Sequence, residues 1–298
     1  MTIFFDVVLP VLLVFLIGFG VQKWKKIDIK AISTVAIYIM TPCLVFRTFY
    51  TAELDMQYFY MVIFSAILLF ALIVINKWYA KLKGYSQSVE SGMILSTAFM
   101  NSGNYGAPII LFAYGDMGFA YSVSFLVLQA IIMNFFGVYY AARGEAGIGV
   151  AVKSVFEMPA TYAVILALIL KSVNWEIPDN LFLTIDIIAE ATVPTVMVIL
   201  GMQLAQIKWD NFNWGHITYG VILRLFISPL IAVGIVMMFP LDPLLAKVLI
   251  VSAAMPSAAT IVMYAVQFNT EPKLVSSITL ITTLISIFTI TVLLAILG

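Results

Sequence analysis

The sequence predicts an all-α membrane protein of ten spanning helices, built as two inverted five-helix repeats in which helices 4 and 9 are broken and cross near mid-membrane. Three observations predict it. The residues are 63% hydrophobic and only 10% charged, with a mean hydropathy of +1.09. Successive apolar stretches reach the roughly 20 residues that a spanning helix needs. Prolines inside those stretches recur in pairs about half the chain apart. Soluble domains carry about 25% charged residues, so here the bilayer must act as the solvent.

The spans run over residues 4–21, 31–50, 58–78, 89–113 and 117–142, then 153–173, 180–204, 214–239, 243–268 and 273–297. No cleavable leader precedes the first, whose lysines (Lys23, Lys25, Lys26) follow it. Connections are short; the link between spans 5 and 6 covers only residues 143–149. Placing the N-terminus outside puts Lys23, Lys25, Lys26, Lys30, Lys77, Lys81, Lys83, Arg143, Lys153, Lys208 and Lys273 inside. Only Arg47, Lys171 and Lys247 then lie outside, and Arg224 falls within a span. That bias orients a multi-pass protein with both termini outside. Trp24, Trp78, Trp175, Trp209 and Trp214 fall at span ends, as interfacial anchors do.

Net charge is zero, which gives nucleic acid no foothold. The single cysteine, Cys43, excludes an internal disulfide, and one histidine, His216, excludes a multi-histidine metal site. No metal, cofactor or catalytic residue is expected.

Pro10 pairs with Pro159, Pro42 with Pro194 and Pro108 with Pro256, in spans 1 and 6, 2 and 7, and 4 and 9. The repeats then cover residues 1–145 and 146–298. Each has an odd number of spans, so the second must enter from the opposite side. Inverted repeats of this kind are common in transporters.

Span 4 contains Asn101-Ser102-Gly103-Asn104-Tyr105-Gly106-Ala107-Pro108. Glycine weakens a helix and proline removes a donor. In lipid such a break survives only when buried in protein or lining a wet cavity. A simple kink with packing glycines is the plainer reading, but it does not require two mid-depth asparagines. Span 9 contains Ala253-Ala254-Met255-Pro256-Ser257-Ala258-Ala259-Thr260. Alone it reads equally as a kink; its partner in span 4 raises it. Pro108 and Pro256 each suit the first position of a second half-helix. Two positive helix ends facing one cavity favour an anion. Asn101 and Asn104 can donate to a carboxylate. The expected substrate is a small organic anion, with Asn101, Gly103, Asn104, Tyr105, Gly106, Pro108, Met255, Pro256 and Ser257 around it.

The 101–108 segment resembles the fourth-helix motif of the auxin efflux carrier family. The 253–260 segment, followed by Tyr264, resembles the matching ninth helix. Val193-Pro194 with Leu200-Gly201-Met202-Gln203-Leu204 resembles the seventh. The likeness spans nearly the whole chain. It implies a secondary carrier of organic anions in a cell membrane: plant members move auxin, and bacterial members are commonly labelled malate or malonate permeases. It further implies a fold like that of bile acid symporters. Spans 1, 2, 6 and 7 would form a scaffold able to homodimerise, and spans 3–5 and 8–10 a mobile transport domain working as an elevator. The chain lacks the long central loop of the larger plant carriers, so auxin is a weaker expectation than a small carboxylate. A bacterial plasma membrane fits that reading.

Other polar residues carry two readings each. Asp186 and Glu190 lie one turn apart in span 7. They either couple transport to H+ or Na+ or face outer water, with Arg224 as a partner. Arg224 is either a substrate counter-charge or the partner of Asp186; the pair is the expected role. Gln129 and Asn134 border the crossing or bond between helices. Tyr264 and Gln267 are weaker site candidates, and the hydroxyls of span 10 are expected to bond their own helix. Competing functions are a cation/proton antiporter using Asp186 and Glu190, and an anion-binding membrane sensor. An intramembrane protease is the remotest, resting on Tyr114-Gly115-Asp116. Span 10 carries no acid, which counts against the antiporter.

Overall fold

Acidic and small polar residues between the apolar stretches start the helices. In the computed structural model, which describes residues 3–52, 55–142, 153, 156–206 and 213–298, the Asp28 side chain accepts from the Lys30 amide and Asp55 from that of Gln57. Ser86 accepts from Val89, Asn213 from Gly215 and His216, and Asp242 from Leu244 and Leu245. Each satisfies amides left open at a helix start.

The helices so delimited are α1 (Phe4–Lys25), α2 (Ile29–Thr51), α3 (Met56–Lys83), α4 (Gln87–Ala98) and α5 (Ser102–Ala141). They are followed by α6 (Pro159–Ser172), α7 (Asp179–Gln206), α8 (Trp214–Val236), α9 (Pro243–Ala253), α10 (Thr260–Gln267) and α11 (Pro272–Leu297). No strand occurs among the described residues. Seven of these helices are long and apolar enough to cross a membrane: α1, α2, α3, α5, α7, α8 and α11. The protein is therefore a multi-pass membrane protein. Helices α6 and α9 are apolar but shorter, at 14 and 11 residues. The 40-residue α5 is not straight: Gly115 interrupts it at φ 66°, ψ −164°, a conformation open to glycine. The Tyr114-Gly115-Asp116 motif is thus a backbone turn. The expected 143–149 link, the 145/146 repeat boundary, Lys208 and Trp209 lie outside the described residues. Trp24, Trp78, Trp175 and Trp214 are all exposed.

The prolines behave differently from the sequence expectation. Pro10, Pro42, Pro108 and Pro229 each follow, by two residues, a one-turn π widening: Phe4–Val8, Ala36–Met40, Ser102–Gly106 and Leu223–Ile227. A helical proline lacks a donor and its ring strikes the carbonyl four residues back; widening that turn relieves the clash. Their supposed partners differ. Pro159 starts α6, Pro194 lies inside α7 and Pro256 lies in the non-helical link between α9 and α10. Members of each proline pair therefore occupy unlike local structures.

The chain divides into two compact units. The first comprises Met1–Leu54, Gly103–Val127 and Val155–Gln206, and so holds α1, α2, α6 and α7. Its closest packing is between α1 and α7. A Cβ added at Gly18 would lie 2.2 Å from the Val198 carbonyl oxygen, and one at Gly201 would lie 2.0 Å from that of Phe15. Ile29, Ala36, Ile199 and Met202 form a buried cluster beside it. The second unit comprises Asp55–Ser102, Leu128–Ser154 and Ile207–Gly298, with α3, α4 and α8 to α11. Ile217, Val221, Leu225 and Ile278 pack there between α8 and α11.

Candidate substrate site at a helix crossing

Both expected breaks are present, and both lie in the second unit. Helix α4 ends at Ala98 and helix α9 at Ala253. Phe99 to Asn101 are extended, and Met100 pairs in antiparallel fashion with Ser257. The Asn101 amide donates to the Pro256 carbonyl at 2.8 Å, and the Ala258 amide to the Phe99 carbonyl at 3.0 Å. Two broken helices thus lend each other the backbone bonds that neither makes alone. This corrects the expected role of the prolines. Helicity resumes at Ser102 and at Thr260, so neither Pro108 nor Pro256 opens a half-helix. Pro256, which has no donor, instead supplies an acceptor to the bridge.

The carbonyls freed at the ends of α4 and α9 find side-chain donors. The Ser257 hydroxyl donates to the Ser96 carbonyl, and the Ser257 amide to Thr282 Oγ1 of α11 at 3.3 Å. Arg224 of α8 is fully buried. Its Nη1 donates to the Thr97 carbonyl at 2.8 Å, and its Nη2 to Ser228 Oγ at 2.8 Å and to the Ala253 carbonyl. Ser228 Oγ also donates to the Ala253 carbonyl, at 2.8 Å. One guanidinium therefore ties the last turn of α4 to the last residue of α9. This overturns the expected Arg224–Asp186 pair. Asp186 belongs to the first unit, where it pairs with Arg47 at 2.6 Å. Arg224 answers backbone carbonyls, whose release at a break no side-chain pattern records.

The remaining candidates divide as follows. Asn101, Met255, Pro256 and Ser257 are buried at the bridge. Gly103, Asn104, Tyr105, Gly106 and Pro108 follow in the chain and belong to the first unit. There Tyr105 is buried with its ring 5.4 Å from that of Phe15, and Asn104 is half-buried. A Cβ on Gly103 would come within 2.9 Å of Leu126. Gln129 is buried in the second unit. Asn134 accepts from the Tyr264 hydroxyl at 2.9 Å and donates to the Ala130 carbonyl at 2.9 Å, so two separately chosen candidates form one interhelical bond. Glu190 is exposed on α7. Most hydroxyls of α11 bond the carbonyl four residues back, as expected, including Thr279, Thr283 and Thr291. Thr282 does so too and also receives Ser257.

Sequence reasoning passed over Asn76. It is buried in α3, donates to Thr97 Oγ1 at 2.8 Å and accepts from the Tyr219 hydroxyl at 3.2 Å. A buried amide near the end of an apolar span leaves only a weak sequence signal.

The chain is similar in sequence to membrane transport proteins. The family model described as "Membrane transport protein" matches residues 3–150 and 145–294. An uncharacterized transporter of Methanocaldococcus jannaschii is 28% identical over 306 aligned positions, covering 96% of each chain. Another from Methanothermobacter thermautotrophicus is 26% identical over 296 positions, covering 95% of this chain and 94% of its own. The chain belongs to the membrane transport protein family, that of the auxin efflux carriers.

Proposed function

We propose that the protein is a secondary carrier of small organic anions, carboxylates of the malate or malonate kind, recognised at the helix crossing. The observation that carries this reading is the mutual bridging of the two breaks. The amino end of α10, four residues after Pro256, has no side-chain cap, and the Asn101 amide is bonded to the Pro256 carbonyl. Such an end favours negative charge, and an asparagine adds donors without adding a full charge.

The wider architecture of the proposal is ten spans in two inverted repeats, with both termini outside. What supports it is the pair of matching breaks and the lysine distribution. In the same reading α1, α2, α6 and α7 are a scaffold that homodimerises, and the second unit is a transport domain whose alternating access carries the site. The grouping of those four helices in one unit supports that division; the assignment of Gly103–Val127 to the same unit differs from it. Coupling to H+ or Na+ remains part of the proposal, and the pairing of Asp186 with Arg47 leaves Glu190 as the acid available for it.

Uptake into proteoliposomes, with mono- and dicarboxylates and with and without pH and sodium gradients, tests the reading. Carboxylate uptake that falls sharply in Asn101→Ala and Asn104→Ala is expected. Cation exchange without carboxylate flux would favour the antiporter, and binding without flux a sensor.

A further inference from the structure

Arg224 is a full positive charge buried in a spanning helix, and no carboxylate is among its partners, which are the Thr97 and Ala253 carbonyls and Ser228. A buried unpaired charge is costly in any protein interior and more so at membrane depth. The compensation lies in what those carbonyls belong to. Thr97 is in the last turn of α4, and Ala253 is the last residue of α9. A helix carbonyl end carries roughly half a negative charge, so two such ends together offset about one arginine.

Each break also creates an amino end. Helix α5 begins at Ser102, directly after the bridged Asn101, and α10 begins at Thr260 with no side-chain cap. Without Arg224, two carbonyl ends and two amino ends would nearly cancel, and the crossing would have no preferred sign. We propose that Arg224 sets the charge preference of the crossing without touching its ligand: it neutralises the carbonyl ends of α4 and α9, leaving the amino ends of α5 and α10 as the uncompensated helix charge. Arg224 is on this account a positioning and selectivity residue. The assignment deepens the organic-anion reading and rests on it for the ligand's sign, whereas the lock on α4 and α9 stands by itself.

The test uses the full-length protein as wild type, Arg224→Lys, Arg224→Met and Ser228→Ala. The first readout is the uptake ratio of malonate to uncharged malonamide in proteoliposomes. Arg224→Lys keeps the charge and is expected to keep the ratio. Arg224→Met is expected to lower it about tenfold, the size of a partly buried helix-end interaction, chiefly through weaker half-saturation by malonate. Ser228→Ala, which removes one donor to Ala253 but not the charge, is expected to retain the ratio. A merely structural arginine would lower total uptake in Arg224→Met and leave the ratio alone, and that result would overturn the proposal. Loss of the ratio in Arg224→Lys would overturn it as well. The second readout is amide exchange over residues 96–102 and 253–260, which needs no substrate. Exchange at Asn101 and Ala258 is expected to accelerate about tenfold or more in Arg224→Met, as local opening becomes easier. If the wild type moves no carboxylate, the organic-anion reading fails, and exchange then decides the lock: unchanged protection in Arg224→Met overturns it, and faster exchange supports it. If Arg224→Met does not fold, the exchange comparison passes to Arg224→Lys, whose single ammonium lacks the fork that reaches both Thr97 and Ala253; unchanged protection there counts against the lock in the same way.

Discussion

Replacing Gly201 by alanine drives a methyl group into the backbone of a neighbouring helix. The added Cβ falls 2.0 Å from the Phe15 carbonyl oxygen, 2.8 Å from its carbon and 2.9 Å from its Cα, where ordinary contact begins at 3.4 Å. All three atoms are main chain, so no rotamer change relieves the overlap; α1 and α7 must part by roughly 1 Å or more. The reciprocal site behaves alike: a Cβ on Gly18 meets the Val198 carbonyl oxygen at 2.2 Å. Small residues matter here because lipid supplies no hydrophobic force to press helices together, and close backbone approach is what holds them. Overpacking a tight interface costs about 1–3 kcal/mol, and the severity of this overlap places each single substitution near the top of that range. The two sites share one interface, so parting the helices for one methyl makes room for the other. The double substitution Gly18→Ala/Gly201→Ala should therefore cost little more than either single change, a coupling of the kind that contacting residues show. Thermal unfolding in one detergent, followed by loss of monodisperse protein, measures all four proteins. At about 2 °C per kcal/mol for a chain of this size, each single variant should melt about 4–6 °C below wild type. A wild-type melting temperature in Gly201→Ala would refute the geometry, and strictly additive shifts would refute the shared interface.

Further substitutions check the polar residues. Arg47→Gln and Asp186→Asn break an ion pair whose partners are 23% and 33% exposed; screening limits each loss to about 1 kcal/mol or less, and the double variant should melt no lower than the worse single one. Tyr264→Phe removes the 2.9 Å bond to Asn134 and should cost about 0.6 kcal/mol, the usual yield of a hydrogen bond between membrane helices, with Asn134→Ala giving no added loss in the same melt. Glu190→Gln should flatten the pH profile of uptake, because Asp186 is paired with Arg47 and Glu190 is exposed on α7 as the acid left for coupling; a wild-type profile would end the coupling reading.

The long helices were legible because apolar length is a local property, while the bounds of spans 4, 5 and 9 were not, because the breaks shift them. Stretches of about 20 apolar residues, bounded by Asp55, Ser86, Asn213 and Asp242, carry their own start signals. The breaks were legible for a related reason: Asn101, Gly103 and Pro256 are residues that interrupt helices. What was not legible is where each interruption acts. Pro108 reads as the breaking residue, yet it sits after a π turn as Pro10, Pro42 and Pro229 do, and the extended residues precede it by several positions. Arg224 was misassigned because charge suggests a charged partner. Its partners are carbonyls, which every residue has. Only the paths of α4 and α9 decide which carbonyls come free.

Backbone satisfaction at the bridge also narrows which candidates remain available to a ligand. An unpaired backbone group in a membrane costs several kcal/mol, and the bridge disposes of its groups in turn. The Phe99 carbonyl takes the Ala258 amide, the Asn101 amide goes to Pro256, the Ser96 carbonyl takes the Ser257 hydroxyl, and Thr97 and Ala253 take Arg224. A serine hydroxyl has one hydrogen to donate, and that of Ser257 is committed to Ser96, so Ser257 acts on a ligand by holding the bridge. The Asn101 main chain is likewise committed while its side-chain amide is a separate donor. Under the proposed function, recognition is therefore expected to fall more heavily on Asn101 than the symmetry of the two breaks suggests. The expected signature is that Ser257→Ala lowers stability more than half-saturation, whereas Asn101→Ala does the reverse.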